Sequence, residues 1–303
     1  MIDFQPITLE QKESFERCLH DGIERGCEFS FANLYLWGRQ KAAFVHGQLV
    51  LFSQFSRRSV YPFPAGQGDK QPALDAIIHD AAKRGISCRI TGLGDEEMAL
   101  LENLYPGRFR FHCDRDSYDY VYAIDDLADL KGRKYQRKRN HINRFRETWP
   151  HCHTEPLSAQ NIQAVRQMVD SWYDTRMAED PTTDYLMERA ALTKALRSYD
   201  ALGMESLVLR SGEDVLAFTL GSFLSADTVD VHFEKTDPRV PEAYPVINNL
   251  FARHIRDKFP QVRFLNREDD MGLEGLRKAK ESYCPHHLVK KCWACLLEDG
   301  YDY

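Results

Sequence analysis

At 303 residues the chain is long enough for about two domains of ~100–200 residues each. A hydrophobic content of 43% supports a packed core and excludes a disordered chain. The net charge of -6 excludes wholesale nucleic-acid binding, so any basic surface must be local.

No apolar run approaches the ~20 residues of a membrane span. The first ten residues carry acids rather than a basic, apolar leader, so a cytoplasmic location is expected. Residues 42–45 and 48–54 read as a hairpin around His46 and Gly47, and 59–64 as a further extended run. Residues 71–84 read as a helix, because Ala73, Ile77, Ile78 and Ala81 recur at spacings of three and four. Gly85 ends it. A strand over 86–91, a short helix over 95–104 and strands near 108–113 and 118–124 complete the first half.

Residues 131–146 hold eight Lys or Arg and no acid. At helical spacing Tyr135, Ile142, Phe145 and Trp149 share one face, while Arg133, Arg137, Asn140 and Arg144 share the other. An arginine stripe of this geometry suits phosphates. A solvated connecting helix is the plain alternative, but so many cations without an acid repel one another unless an anion sits nearby.

The second half opens with helices over 158–176 and 183–199, then a strand over 207–210 and a turn at 211–214. Residues 215–223 are nearly all apolar, as a strand buried on both faces should be. Residues 228–234 alternate. A helix over 242–259 has Pro241 and Pro245 near its start, where proline is best tolerated. A strand over 262–265, a helix over 271–282 and a strand over 288–297 follow.

The halves echo one another. A strand, then acids, then a helix occur from Arg89 and again from Arg263. The element string suits an α/β (α+β) fold of two tandem lobes similar to GNAT acyltransferases, each a mixed sheet flanked by helices. The expected division is a first lobe over 1–125, a basic linker helix over 126–150, and a second, active lobe over 151–303.

Eight cysteines are scattered, and only Cys292 and Cys295 have the gap of a zinc or redox pair. On a strand, positions three apart point to opposite faces, so these thiols would not converge. His151-Cys152-His153 lacks a second ligand pair. Reduced, mostly buried cysteines and no metal site are expected.

Three constellations carry candidate chemistry. On the strand over 228–234, Asp230, His232 and Glu234 point one way, as a row of proton acceptors facing a cleft or as the wet face of an edge strand. Asn266-Arg267-Glu268-Asp269-Asp270 lies between a strand and a helix, where acids cap the helix or meet a ligand. Gly66-Gln67-Gly68-Asp69 precedes a helix and suits either a plain turn or a pyrophosphate. GNAT enzymes using coenzyme A carry Gln or Arg at the position held here by Phe63, and 237–244 has no glycine.

The stretch from Asn266 to Pro285 resembles the motif of the phosphatidylglycerol lysyltransferase C-terminal domain family. Residues 29–37 and the basic segment 134–145 are similar to it as well. The resemblance implies a tandem GNAT fold with the active lobe second. It implies transfer of an aminoacyl group from aminoacyl-tRNA, with the arginine stripe meeting tRNA or lipid phosphate. Tyr283 stands where GNAT enzymes often place a tyrosine acid, or it packs in the core. The lipid-modifying members carry a long membrane-embedded region before this domain, which the sequence lacks. The acceptor is thus left as a small molecule, a peptide or a lipid headgroup.

Three readings follow: an aminoacyltransferase using aminoacyl-tRNA, an acyltransferase using acyl-coenzyme A, and a non-catalytic module binding anions or nucleic acid. Candidate catalytic residues are Asp230, His232, Glu234, Asp269 and Tyr283. Candidate substrate contacts are Arg133, Lys134, Arg137, Arg144, Asn266 and Lys278.

Overall fold

Two seven-stranded mixed sheets flanked by helices organise the chain in the computed structural model, which describes residues 1–55, 58–181 and 185–297. From the N-terminus come β1 (Gln5–Pro6), α1 (Lys12–Leu19), α2 (Phe31–Trp37), β2 (Gln40–Val45), β3 (Gln48–Phe55) and β4 (Arg58–Pro62). Next are α3 (Gln71–Arg84), β5 (Arg89–Leu93), α4 (Asp95–Leu104) and β6 (Phe109–His112). The β2–β3 hairpin turns at His46 and Gly47, both at positive φ, the conformation a tight two-residue hairpin loop demands. The apolar stripe of α3 puts Ala73, Leu74, Ile77 and Ala81 into a core with Tyr61, Phe63, Ile90 and Leu93. Each such large side chain contributes roughly 1.5–3 kcal/mol on burial.

The chain continues through β7 (Asp119–Ala123), α5 (Ile124–Asp129), α6 (Gln136–Thr148), β8 (His153–Glu155), α7 (Ile162–Glu179) and α8 (Leu186–Ser198). Residues 183–184, placed by the sequence at the start of α8, lie outside the described residues. Then come β9 (Glu205–Ser211), β10 (Asp214–Phe223), β11 (Thr228–Thr236), α9 (Tyr244–Lys258), β12 (Phe264–Asn266) and α10 (Glu274–Glu281). β10 is buried along nearly its whole length, as its apolar run predicts. β11 pairs antiparallel with β10 and parallel with β12, so it is central and the edge-strand alternative for 228–234 falls. The second sheet runs β13-β7-β12-β11-β10-β9-β8, where β13 is His287–Val289.

The last strand, β14 (Cys292–Leu296), returns to the first sheet, whose order is β1-β2-β3-β4-β5-β14-β6. The single strand read over 288–297 is therefore two strands in two sheets, separated at Lys290 and Lys291. One compact unit comprises Met1–Tyr120 with Asp269–Arg277 and the chain from Leu288 on. The other comprises Val121–Glu268 with Lys278–His287. The basic helix α6 thus packs as part of the second unit.

The expectation of uniformly reduced cysteines is corrected by a Cys113–Cys292 disulfide. Its cause is register: β14 pairs antiparallel with β6, Trp293 opposite His112, which brings Cys292 against Cys113 one step further on. Cys295 carries a free thiol. No helix among the described residues is long and apolar enough to cross a membrane.

Candidate active site

The second unit concentrates polar chemistry on β11. Its ladder with β10 steps from Leu220↔Phe233 to Gly221↔Val231, so β11 carries one extra residue, His232. Such a bulge re-aims side chains and is common beside functional sites. Asp230 and His232 are buried. His232 Nδ1 lies 3.4 Å from Asp230 Oδ2 and 3.6 Å from Glu268 Oε1, and its Nε2 lies 2.7 Å from Ser222 Oγ.

Glu234, the third member of the row, has a different fate. Its carboxylate accepts from Arg267 at 2.9 Å and from Asn248 Nδ2 at 3.3 Å. Burial opposes the charge of Arg267, but Glu234, helped by the Tyr122 and Tyr283 phenols, holds its pKa above the ordinary arginine value. Glu234 is thus the counter-ion of a buried guanidinium. The Arg267 guanidinium lies 5.0 Å from the Tyr283 ring centroid.

Tyr283 also receives Lys138, whose Nζ stands 3.7 Å from the ring centroid and 2.8 Å from Ser282 Oγ. Burial, then the Arg267 and Arg137 charges, push Lys138 down to about 8. Burial pushes the Tyr283 phenol up to about 12, so it stays protonated through neutral pH. Sequence reasoning counted Lys138 only among the eight cations. The signal was present: it sits three residues after Tyr135 and four before Ile142, on the apolar face of α6.

The remainder of α6 divides as its periodicity predicts. Tyr135 just before it, Ile142 and Phe145 are buried, and Arg133, Arg137 and Arg144 are exposed. Lys134 is tied to Asp126 at 3.1 Å. Asn266 is buried at the end of β12 opposite Asp230, and its Oδ1 accepts from the Glu268 N–H at 2.7 Å. That bond helps hold Glu268 at φ 56, a conformation rare for non-glycine residues. The buried Lys280 ammonium donates to the carbonyls of Arg267 and Glu268. Lys278 is exposed on α10.

Asp269 belongs to the first unit, in a group the sequence did not assemble. Lys291 Nζ lies 2.6 Å from Asp119 Oδ1, 3.1 Å from Asp269 Oδ2, and 3.6 Å from both Glu28 Oε2 and Cys27 Sγ. Burial works against the Lys291 charge, yet these four groups hold its pKa well above the ordinary lysine value. Asp270 accepts from Arg277, Tyr120 and the Gly272 N–H, and Arg277 above all holds it far below the usual carboxylate range. Of the acids in 268–270, Asp270 is thus structural and Asp269 is an ion-pair partner.

The glycine loop is already in use. The Gly66 N–H donates to Asp21 Oδ2 at 3.1 Å, and the Lys70 ammonium donates to the Gly66 carbonyl and to Gln48.

Two mixed sheets, a basic helix and a buried polar row at a strand bulge define an α/β protein whose second unit carries the candidate site. The family model described as "Phosphatidylglycerol lysyltransferase, C-terminal" matches residues 23–295, and the chain belongs to that family. The family is described as a lysyltransferase domain. A crystal structure of a conserved protein of unknown function from Bacteroides thetaiotaomicron VPI-5482 is 36% identical. It aligns over 98% of this chain and all of that one, with a TM-score of 0.93. The structure of L-PGS from Bacillus licheniformis is 18% identical over 96% of this chain and 93% of that one, with a TM-score of 0.69, which is a likeness of fold. An uncharacterized protein, MYCGA3080, of Mycoplasmoides gallisepticum is 22% identical over 179 residues. The match spans 58% of this chain and about half, 55%, of that relative.

Proposed function

We propose that the protein transfers an aminoacyl group from aminoacyl-tRNA to an amine or hydroxyl acceptor, using the second unit. The carrying observation is Lys138: it lies on α6, which with the turn before it exposes Arg133, Arg137 and Arg144, yet turns inward onto Tyr283 and is pushed down to about 8. A general base is most effective with a pKa near the working pH. The exposed arginines hold the donor's phosphates. The acceptor N–H or O–H attacks the ester carbonyl, a new amide or ester bond forms, and the bond to the ribose oxygen breaks. Neutral Lys138 takes the acceptor's proton and returns it to the departing ribose oxygen. The Arg267 guanidinium, fixed by Glu234, supplies positive charge for the oxyanion. The Tyr283 ring packs against both Lys138 and Arg267.

The coenzyme A alternative needs free backbone N–H groups near Gly66–Gly68 or Val240–Ala243. The Gly66 N–H is held by Asp21, the Val240 N–H by the Asp237 carbonyl and the Ala243 N–H by the Val240 carbonyl. The test supplies purified protein with tRNA carrying a labelled amino acid, first lysine. Phosphatidylglycerol vesicles and soluble amines serve as separate acceptors. Label should move to one acceptor class, and Lys138→Gln should abolish the transfer. Transfer from acetyl-coenzyme A but not from charged tRNA would defeat the reading.

A further inference from the structure

We infer that Asp230, His232 and Glu268 form a site for a divalent transition-metal cation of the zinc type, independent of which donor the protein uses. One nitrogen and two carboxylate oxygens are a donor set that zinc favours. The three candidate ligand atoms all lie within 4.8 Å of one another. The two edges from His232 Nδ1, 3.4 Å to Asp230 and 3.6 Å to Glu268, are too long for good hydrogen bonds. They fit a tetrahedron instead. With metal bonds of about 2.0–2.1 Å, the edge between two ligand atoms is about 3.3–3.4 Å.

The imidazole is the independent pointer. The His232 side chain is 1% exposed, and its Nδ1 is a buried atom that makes no hydrogen bond. Such an atom is costly unless something meets it. The other ring nitrogen, at 2.7 Å from Ser222 Oγ, is placed to donate its proton there. That would leave the Nδ1 lone pair aimed between two carboxylates, the arrangement by which outer partners orient a metal-binding histidine.

Glu268 completes the set from a backbone that is itself held. Its φ of 56 is anchored by Asn266 Oδ1 and by Lys280 on its carbonyl. Asp230 and His232 come from the bulged strand, and Glu268 from the loop just after β12. Glu268 is the most exposed of the three at 27%, which leaves the fourth position on its side for water or a substrate atom.

The test is metal content, not turnover. Protein stripped with a chelator is titrated with zinc by calorimetry and with cobalt(II) by visible absorption, whose intensity reports tetrahedral geometry. Expected are a single equivalent bound, tetrahedral cobalt bands, and a higher melting temperature with metal. Glu268→Gln, at the partly exposed ligand, should weaken binding by more than tenfold while keeping the native circular dichroism spectrum. Ser222→Ala should weaken it by about 10–100-fold. Asp230→Asn and His232→Ala should lose the equivalent altogether. Folded protein that takes up no metal, or Glu268→Gln with wild-type affinity, would overturn the assignment. Because no donor or acceptor is present, failure here leaves the transfer reading standing, and the converse also holds.

Discussion

Lys138→Met gives the sharpest separation of function from fold. A lysine moved from 10.5 to about 8 has its charged form disfavoured in the native state. For a fully shielded group the gap is worth about 3 kcal/mol. Lys138 is only half-shielded, and solvent screening brings this to about 1.5 kcal/mol. The lost contact with the Tyr283 ring returns about 0.5 kcal/mol. At pH 7 the methionine variant should therefore be more stable by about 1 kcal/mol, or roughly 2–4 °C in Tm for a unit of this size. The sign follows from proton counting. Between about pH 8 and 10.4 the unfolded chain keeps a proton that the folded chain has released, so wild-type stability rises with pH across that window. The variant lacks this gain, and its advantage should vanish by about pH 10.5. Thermal melts from pH 6 to 10.5 read it directly. In the same window the wild-type kcat/KM should climb to a plateau near the folded value of about 8, with no activity in the variant. A variant destabilised equally at pH 7 and 10.5 would refute the argument.

Replacing Arg133, Arg137 and Arg144 together with Ala should leave the melting temperature unchanged and weaken tRNA binding. The slope of log affinity against log salt should fall by about 2–3, measured by filter binding. Glu234→Gln strands the Arg267 guanidinium in a buried setting and should cost about 3–5 kcal/mol by urea unfolding. Adding Arg267→Met should recover much of that loss. Cys113 is exposed and its disulfide spans 179 residues, so dithiothreitol should lower the stability of the wild type by about 2–4 kcal/mol and leave Cys113→Ser unaffected.

Where one face or one run decides the outcome, the sequence was readable. The apolar run of β10 announced a doubly buried strand, and α3 emerged from its spacing with the bounds the structure shows. The arginine side of α6 faces solvent as its periodicity requires. What local pattern cannot carry is pairing between distant segments. The return of β14 to the first sheet, and with it the disulfide, depends on a register against residues some 180 positions earlier. Lys291 reads as an ordinary surface lysine until Asp119 and Asp269 are placed around it. Glu268 stood in a run of acids open to either helix capping or ligand contact, and its positive φ and its place beside His232 appear only in three dimensions.

The bulge explains why one strand holds residues of such different character, and Gly221 is the position that tests it. Asp230, His232 and Glu234 alternate evenly in sequence, yet the extra residue at His232 makes the ladder change step between them. Asp230 and His232 meet Glu268, while Glu234 is left to Arg267. Opposite the bulge, a Cβ on Gly221 would stand 2.7 Å from the Asp230 carbonyl oxygen and 3.2 Å from both Phe251 and Val229. The first contact is with backbone and cannot be relieved by a rotamer. Gly221→Ala should therefore cost about 1–3 kcal/mol and push β11 away at Asp230. Gly221 offers no side chain to any ligand, so weakened metal binding in a folded Gly221→Ala protein would trace to the bulge alone. An alanine variant with wild-type stability would mean that the strands separate freely there, and the geometry at His232 would then not be fixed by the ladder.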